Sequence, residues 1–103
     1  MKSRFHEGAA ADLGEAVSYY NEAADGLGDR MLSEVRAALE IVEAFPEAAP
    51  VLSGKLRGKG LTQFPHTLLY TVEEGEIIVL AFAHQRQDFR TWVRIVRARE
   101  EGA

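Results

Sequence analysis

The most regular hydrophobic pattern in the chain consists of two apolar segments separated by an acidic turn. Residues 77–83 form an unbroken apolar run, which is typical of a strand covered on both faces at the centre of a sheet. Residues 68–72 form a second apolar segment, and residues 73–76 between them have the glycine and the polarity of a hairpin loop. The pattern predicts an antiparallel hairpin in the middle of a sheet.

The first half of the chain has a helical pattern instead. Apolar side chains recur every three or four residues from Gly8 to a break at residues 25–26, which predicts one amphipathic helix. After a connector at residues 27–29, in which Asp29 is the expected N-cap, a second apolar stripe continues to Phe45 and Pro46. Two amphipathic helices with so short a connection predict an antiparallel helical hairpin.

The remaining segments complete an α+β fold in a single domain of residues 1–103. A short first strand is expected near Lys2, with Phe5 facing the core and His6 at the surface. Residues 47–53 are expected to be a loop, and residues 55–63 a strand with a bulge at its glycines. A short helix is expected over residues 89–99. The helical hairpin should cover one face of a small, mostly antiparallel sheet, in which three strands follow the hairpin.

Composition narrows the class of protein. The chain has 103 residues, of which 47% are hydrophobic and 27% charged, as in an ordinary soluble globular domain. It has no cysteine, which excludes disulfides and thiolate metal sites and fits the cytoplasm. No apolar segment follows the basic start and none is long enough to span a membrane, so neither a signal peptide nor a membrane partner is expected.

The charge is distributed unevenly along the chain. The net charge is −4, but residues 1–50 carry four Lys and Arg against ten acids, whereas residues 51–103 carry eight against six. The cations of the second half fall into two clusters, which are Lys55, Arg57 and Lys59, and Arg86, Arg90, Arg94, Arg97 and Arg99. If the clusters meet in space, they form one cationic face suited to phosphates or to an acidic protein partner.

A polar corner follows the predicted central strand directly. Its residues are His84, Gln85, Arg86, Gln87, Asp88 and Arg90. A rigid strand that ends in hydrogen-bond donors and a titratable imidazole is a suitable platform for a functional site. The alternative interpretation is that the strand simply leaves the core here. The other histidines, His6 and His66, have no spacing or carboxylate neighbours that would form a metal site, so no metal is expected.

Taken together, many positions resemble the pattern of RelE/ParE toxins, the toxin components of bacterial type II toxin–antitoxin modules, often labelled plasmid stabilisation proteins. The resemblance covers essentially the whole chain. The positions that carry it are Phe5, Ala9, Asp12, Leu13, Glu15, Ala16, Tyr19, Tyr20, Leu27, Gly28, Leu32, Glu34, Val35, Leu39, Ile41, Pro46, Pro50, Arg57, Leu61, Phe64, Pro65, His66, Leu68, Tyr70, residues 77–80, Ala83, His84, Arg86 and Trp92.

The resemblance implies the same α+β fold and a cognate antitoxin. The C-terminal segment of such an antitoxin is disordered alone and folds around the toxin, so the cost of ordering it falls at the moment of binding. It also implies action on a macromolecule, with neither a cofactor nor a small-molecule substrate.

One activity of the family is metal-independent cleavage of mRNA in the ribosomal A site, as in RelE-like members. This reaction needs a deprotonated ribose 2′-hydroxyl, a stabilised phosphate and a protonated leaving oxygen. By the resemblance, Arg57 and Arg86 fall at phosphate-binding positions, Lys55 and Lys59 add positive charge, and His84 is the expected acid or base.

The sequence departs from the RelE-like pattern where the chemistry is concentrated. The Arg-Arg pair of the family reads Arg86–Gln87 here, its proline reads Phe89, and its Tyr-Trp pair reads Thr91–Trp92. No tyrosine lies in the C-terminal segment to transfer a proton, and the net negative charge does not favour nucleic acid.

The resemblance therefore favours ParE-like members, which inhibit DNA gyrase by binding and lack the nuclease residues. The long two-helix arm and the His-x-Arg…Trp ending are more similar to this branch. No catalytic residue is then expected. The expected target-binding residues are Lys55, Arg57, Lys59, Arg86, Arg90 and Trp92. A third possibility is a degenerate relative that binds antitoxin and poisons nothing.

Overall fold

The computed structural model describes residues 1–102 and has the predicted α+β architecture. In chain order its elements are β1 (Lys2–Phe5), α1 (Glu7–Ala23), α2 (Leu27–Ala44), β2 (Val51–Ser53), β3 (Leu56–Gly60), β4 (His66–Glu73), β5 (Glu76–His84) and α3 (Phe89–Glu101). The strands form one sheet in the order β1-β5-β4-β3-β2, in which β1 is parallel to β5 and the other pairs are antiparallel.

The central hairpin is confirmed as β4 and β5. The two residues of its turn, Glu74 and Gly75, have φ angles of 50° and 76°. Two positive φ angles in succession are the geometry of a type I′ turn, whose twist matches that of the flanking strands. Every residue of β5 between its two terminal ones is buried, because the sheet is covered on both faces.

Each face of the sheet has its own hydrophobic cluster. On one side, α1 and α2 pack over a cluster that includes Met31, Leu68 and Val79. On the other side, α3 packs over a cluster that includes Leu69 and Leu80. The long apolar run of β5 therefore supplies side chains to both cores, and they alternate except at Leu80 and Ala81, where the register with β4 shifts. Within residues 1–102, no helix combines the length and the apolar character needed to cross a membrane.

The prediction of a loop over residues 47–53 was wrong at its end. Val51–Ser53 forms β2, which pairs with β3 and gives the described sheet five strands. This strand has only three residues, lies at the edge of the sheet and has no buried side chain. Such a strand is held by pairing rather than by a buried face, so it leaves no alternating pattern in the sequence.

The predicted bulge at the glycines of β3 was also wrong. The register between β3 and β4 runs without a shift from Arg57 opposite Tyr70 to Gly60 opposite Thr67. Gly58 provides space instead, because a Cβ there would lie 2.7 Å from a methyl carbon of Leu52. The irregularities are found within β2 and in the β4–β5 pair.

The helical hairpin begins its second helix earlier than predicted. The N-cap of α2 is Gly26, with a φ angle of 79°, and Asp29 lies within the first turn, so its prediction as the N-cap was wrong. A side chain of α1 supplies the missing cap, since the Asn21 side-chain oxygen accepts a hydrogen bond from the Gly28 N–H at 2.7 Å. Gly28 also allows close packing, because a Cβ there would clash with the carbonyl oxygen of Val17.

Candidate functional site

The outer edge of β5 is covered by β1 along only half of its length. The β1 register ends with Phe5 opposite Val79, and within residues 1–102 no strand pairs with the outer side of residues 81–84. Two side chains cover the beginning of this open edge. The Phe82 N–H donates to a carboxylate oxygen of Asp12 at 3.1 Å, and the Leu80 carbonyl accepts from Arg99 at 2.8 Å.

Asp12 and Arg99 also bind one another. The two terminal guanidinium nitrogens of Arg99, Nη1 and Nη2, lie 2.7 and 3.0 Å from the two carboxylate oxygens of Asp12, which is a bidentate ion pair. The side chains are only 20% and 27% exposed, for Arg99 and Asp12 respectively. Gly8 makes room for this pair, because a Cβ there would overlap the Arg99 guanidinium. The pair links α1 to α3 across the edge of the sheet.

A cavity of about 490 Å³ surrounds the rest of the open edge, between α1 and α3. We call it the edge groove. Its lining includes four consecutive residues of β5, which are residues 81–84, together with side chains from both helices and from β4. The principal side chains are Asp12, Glu15, Tyr19 and Tyr20 from α1, Trp92 and Ile95 from α3, and His66 from β4. The groove is therefore walled by helices and has main chain along its floor.

His66 is the most deeply buried titratable group in the edge groove, with 6% of its surface exposed. Its ring stacks on Phe82 at a centroid distance of 4.8 Å and meets the ring of His84 edge-on at 4.8 Å. Burial and, secondarily, the charge of His84 lower the pKa of His66 from 6.5 to about 4. His66 is therefore neutral at neutral pH, and its Nδ1 is buried with no hydrogen-bond partner.

The side chains of the polar corner after β5 mainly make hydrogen bonds to neighbouring residues of the same segment. The Nδ1 atom of His84 accepts a hydrogen bond from the Arg86 N–H at 2.9 Å. Asp88 is the N-cap of α3, and its side chain accepts from the Arg90 N–H at 2.7 Å. His84 and Asp88, the two side chains that could take part in proton transfer, thus stabilise the turn and cap the helix. The Arg86 and Arg90 side chains remain exposed.

Arg57 is held on the side of the sheet that faces the helical hairpin. Its guanidinium donates to the carbonyl oxygens of Glu47 and Ala49 at 2.9 and 2.7 Å. Its cross-strand neighbour Tyr70 donates from its hydroxyl to the Pro46 carbonyl at 2.8 Å. Burial raises the pKa of Tyr70, and the charge of Arg57 partly opposes this. Both side chains anchor the connection that follows α2.

The structure does not bring Arg57 and Arg86 together. Arg57 lies opposite Tyr70, which is four residues along β4 from His66, whereas His84 pairs with His66. Four residues of strand span about 13 Å, and Arg86 lies beyond His84. Arg57 and Arg86 are therefore separated along the sheet, and their membership of one target-binding surface stays a prediction.

The two cationic clusters of the sequence approach each other at Lys55, which belongs to the first cluster. This lysine is in the turn between β2 and β3 and lines a depression together with Arg97 and Glu100 of α3. Lys59 is on the opposite side of the sheet, close enough to Glu34 to help lower the pKa of that carboxyl. Burial raises the pKa of Glu34, and hydrogen bonds from Thr62 and Gln63 together with Lys59 outweigh it.

Three arginines of α3 form one outward face. Arg90, Arg94 and Arg97 have i, i+4 and i+7 spacing, and all three line a groove of about 520 Å³ with Phe89. We call these three residues with Lys55 the arginine surface. Within residues 1–102, none of the four has a carboxylate within 4.0 Å, and the two ion pairs found involve Arg4 and Arg99.

Trp92 lies on the other side of α3 from the arginine surface. It packs against the second hydrophobic cluster and lines the edge groove. Its Nε1 atom is buried without a hydrogen-bond partner. The expected target-binding residues therefore lie in separate places. Lys55 and Arg90 are on the arginine surface, and Arg86 is in the turn before α3. Trp92 is on the other side of α3, and Arg57 and Lys59 are on the opposite side of the sheet. Residues 1–102 contain no group of three His, Asp or Glu side chains placed to hold a metal ion.

Comparisons with known proteins agree with this architecture. A solved structure of the chromosomal ParDE toxin–antitoxin system from P. aeruginosa has a similar fold, with a TM-score of 0.61 and 21% identity, over 82% of this chain and 95% of that chain. No curated protein sequence matches the chain significantly. The family profile described as ParE toxin of type II toxin-antitoxin system, parDE, matches residues 4–89. Because this match spans most of the sequence, the chain belongs to the ParE family of type II toxins.

Proposed function

We propose that this toxin acts by binding DNA gyrase through the arginine surface, and that a cognate antitoxin neutralises it. The observation that carries the proposal is the set of unpaired cations on α3. Arg90, Arg94 and Arg97 are exposed and lie beside the exposed apolar ring of Phe89. Arginine and aromatic side chains are both enriched at protein interfaces.

The positions of the nuclease-like residues favour binding over RNA cleavage. The Arg57 guanidinium is engaged by two carbonyl oxygens, and His84 Nδ1 is engaged by the Arg86 N–H. A general base must reach the proton that it removes while a cation holds the phosphate, but Arg57 and His84 are separated along the sheet. The net charge of −4 also opposes binding of a polyanion.

The test is expression of the chain in bacteria with and without the protein encoded in the adjacent reading frame. We expect growth arrest without it, an SOS response, and inhibition of supercoiling by purified gyrase. If ribosome-bound mRNA is instead cut in the A site, the toxin acts by RelE-like cleavage and not on gyrase. Absence of any toxicity would identify a degenerate member and overturn the proposal.

Paired variants test the arginine surface itself. Arg90→Ala combined with Arg94→Ala removes two cations of the surface, whereas Arg36→Ala removes an exposed cation from the outer side of α2. We expect the double variant to lose most of its toxicity and Arg36→Ala to keep it, at equal levels of folded protein. Arg86→Ala, in the turn before α3, should weaken toxicity as well. Full toxicity of the double variant would remove the arginine surface from the mechanism.

A further inference from the structure

The outer surface of α3 is built from two rows of side chains. Residues four apart line up along a helix, and here they form one row of Phe89, Val93, Arg97 and Glu101 and a second row of Arg90, Arg94 and Ala98. Together with Ser53, at the end of β2, these side chains line the cavity of about 520 Å³. We call it the α3 groove.

The α3 groove has apolar side chains along its first turn. Phe89 is 44% exposed, and the half-buried Val93 lies one turn later in the same row. Within residues 1–102, Val93 is not among the side chains that pack on either hydrophobic cluster. The two residues therefore leave apolar surface in contact with water, and an apolar side chain of a partner would remove that surface from water.

Positive charge surrounds this apolar surface. Arg90 and Arg94 lie in the neighbouring row, and Arg97 follows Val93 in its own row. All three arginines are exposed, and within residues 1–102 none of them takes part in an ion pair. Cations beside an apolar surface attract an acidic partner and bind it more strongly once water is excluded.

The charges at the other end of α3 disfavour a DNA backbone. Glu101 lines the α3 groove, and Glu100 lines the adjoining depression beside Lys55. A DNA strand carries a negative charge at every nucleotide, so a strand that followed the arginines along α3 would meet both carboxylates. A protein segment can instead place its acids opposite the arginines alone, and the net charge of −4 acts in the same direction.

We propose that the α3 groove binds an acidic segment of gyrase, which places a carboxylate near Arg90 and Arg94 and an apolar side chain between Phe89 and Val93. Gyrase as the source of the segment rests on the proposed function, whereas the chemistry of the segment rests on the side chains of the groove. The charges guide the encounter, and the buried aromatic contact holds the complex together. The toxin therefore recognises gyrase itself and not the DNA that gyrase holds.

Phe89→Ala tests the apolar contact, with binding measured to purified gyrase in the absence of DNA. Phe45→Ala is the matched control, because Phe45 follows α2, is 66% exposed and does not line the α3 groove. We expect Phe89→Ala to bind gyrase about tenfold more weakly than the original toxin. Phe45→Ala should bind as the original toxin does. Circular dichroism should show that both variants are folded.

Salt dependence tests the charges in the same assay. Arg90→Ala combined with Arg94→Ala should weaken binding to DNA-free gyrase, and added salt should weaken the original toxin more than this double variant. Equal salt dependence of the two proteins contradicts pairing of these arginines with acids. Binding to gyrase only when duplex DNA is present, or equal affinity of Phe89→Ala and the original toxin, overturns the acidic segment and leaves the proposed function in place. Absence of binding both with and without DNA overturns both.

Discussion

Asp12 and Arg99 bind one another through two hydrogen bonds of 2.7 and 3.0 Å, and each also binds the main chain of β5. They are 87 residues apart in the sequence. Asp12 takes the Phe82 N–H and Arg99 takes the Leu80 carbonyl, so the pair occupies the place that the next residues of β1 would have filled. An ion pair thus ends the sheet and joins α1 to α3.

Removal of either member of this pair should destabilise the fold. Asp12→Ala leaves a largely buried guanidinium without its carboxylate and the Phe82 N–H without an acceptor. We expect a loss of about 2–4 kcal/mol in the free energy of unfolding, measured by urea denaturation. Arg99→Ala should cost a similar amount, and the double variant should cost clearly less than the sum of the two.

The exposed pair of Arg4 and Glu76 is the control for that measurement. Its side chains are 59% and 40% exposed, at a separation of 3.0 Å. Arg4→Ala should change the free energy of unfolding by no more than about 0.5 kcal/mol. Additive effects of Asp12→Ala and Arg99→Ala would show that the two side chains act independently and would contradict the bridging role.

The sequence predicted correctly those parts of the fold in which contacting residues are close together along the chain. The apolar run of β5 and the Gly75 turn predict their own hairpin, and the periodic stripes of α1 and α2 predict theirs, because in each case neighbours in sequence are neighbours in space. Membership in a toxin family could also be predicted from the sequence, because many individually weak similarities occur in the same order as in the family along the whole chain.

Long-range partners were not predictable in the same way. The family resemblance predicted that Arg57 binds phosphate, yet its guanidinium donates to two carbonyl oxygens that no sequence pattern marks. The link between Asp12 and Arg99 was missed for a similar reason. One signal was present, since Asp12 lies three residues after the buried Ala9 and beside Leu13 on the apolar side of α1. A carboxylate at such a position indicates a buried partner.

The stability of the fold should depend on the protonation of His66. The pKa of His66 is about 4 in the folded protein and 6.5 in the unfolded reference. Between these values the unfolded chain binds more protons, so acidification favours unfolding. The contribution is complete above pH 6.5 and is lost as the pH falls towards 4, with a total of about 3 kcal/mol.

Urea denaturation between pH 7 and pH 4 measures this dependence. His66→Phe keeps an aromatic ring stacked on Phe82 and removes the titrating group. Its free energy of unfolding should fall less over the same range than that of the original chain. An identical slope in both proteins would assign the acid sensitivity to other groups.

Arg57 should prove to be a structural residue. One of its guanidinium nitrogens, Nη1, donates to the carbonyls of both Glu47 and Ala49, so removal of the side chain leaves two carbonyl oxygens without this donor. We expect Arg57→Ala to lower the free energy of unfolding by about 1–2 kcal/mol. Lys55→Ala, in an exposed turn, should leave stability unchanged. If Arg57→Ala abolishes toxicity with no change in melting temperature, Arg57 contacts the target after all.

Trp92 connects the second hydrophobic cluster to the edge groove, and two substitutions separate these roles. Trp92→Ala removes the ring that packs on the cluster, and for this half-buried side chain we expect a loss of about 2–4 kcal/mol. Trp92→Phe keeps most of the packing and removes only an N–H that has no partner in the free toxin. Its free energy of unfolding should therefore change by less than about 1.5 kcal/mol. Because Trp92 is the sole tryptophan, circular dichroism must follow unfolding. Equal destabilisation by both substitutions would mean that the indole N–H is already hydrogen-bonded in the free protein. If Trp92→Phe is stable but binds antitoxin weakly, the indole N–H donates to the antitoxin.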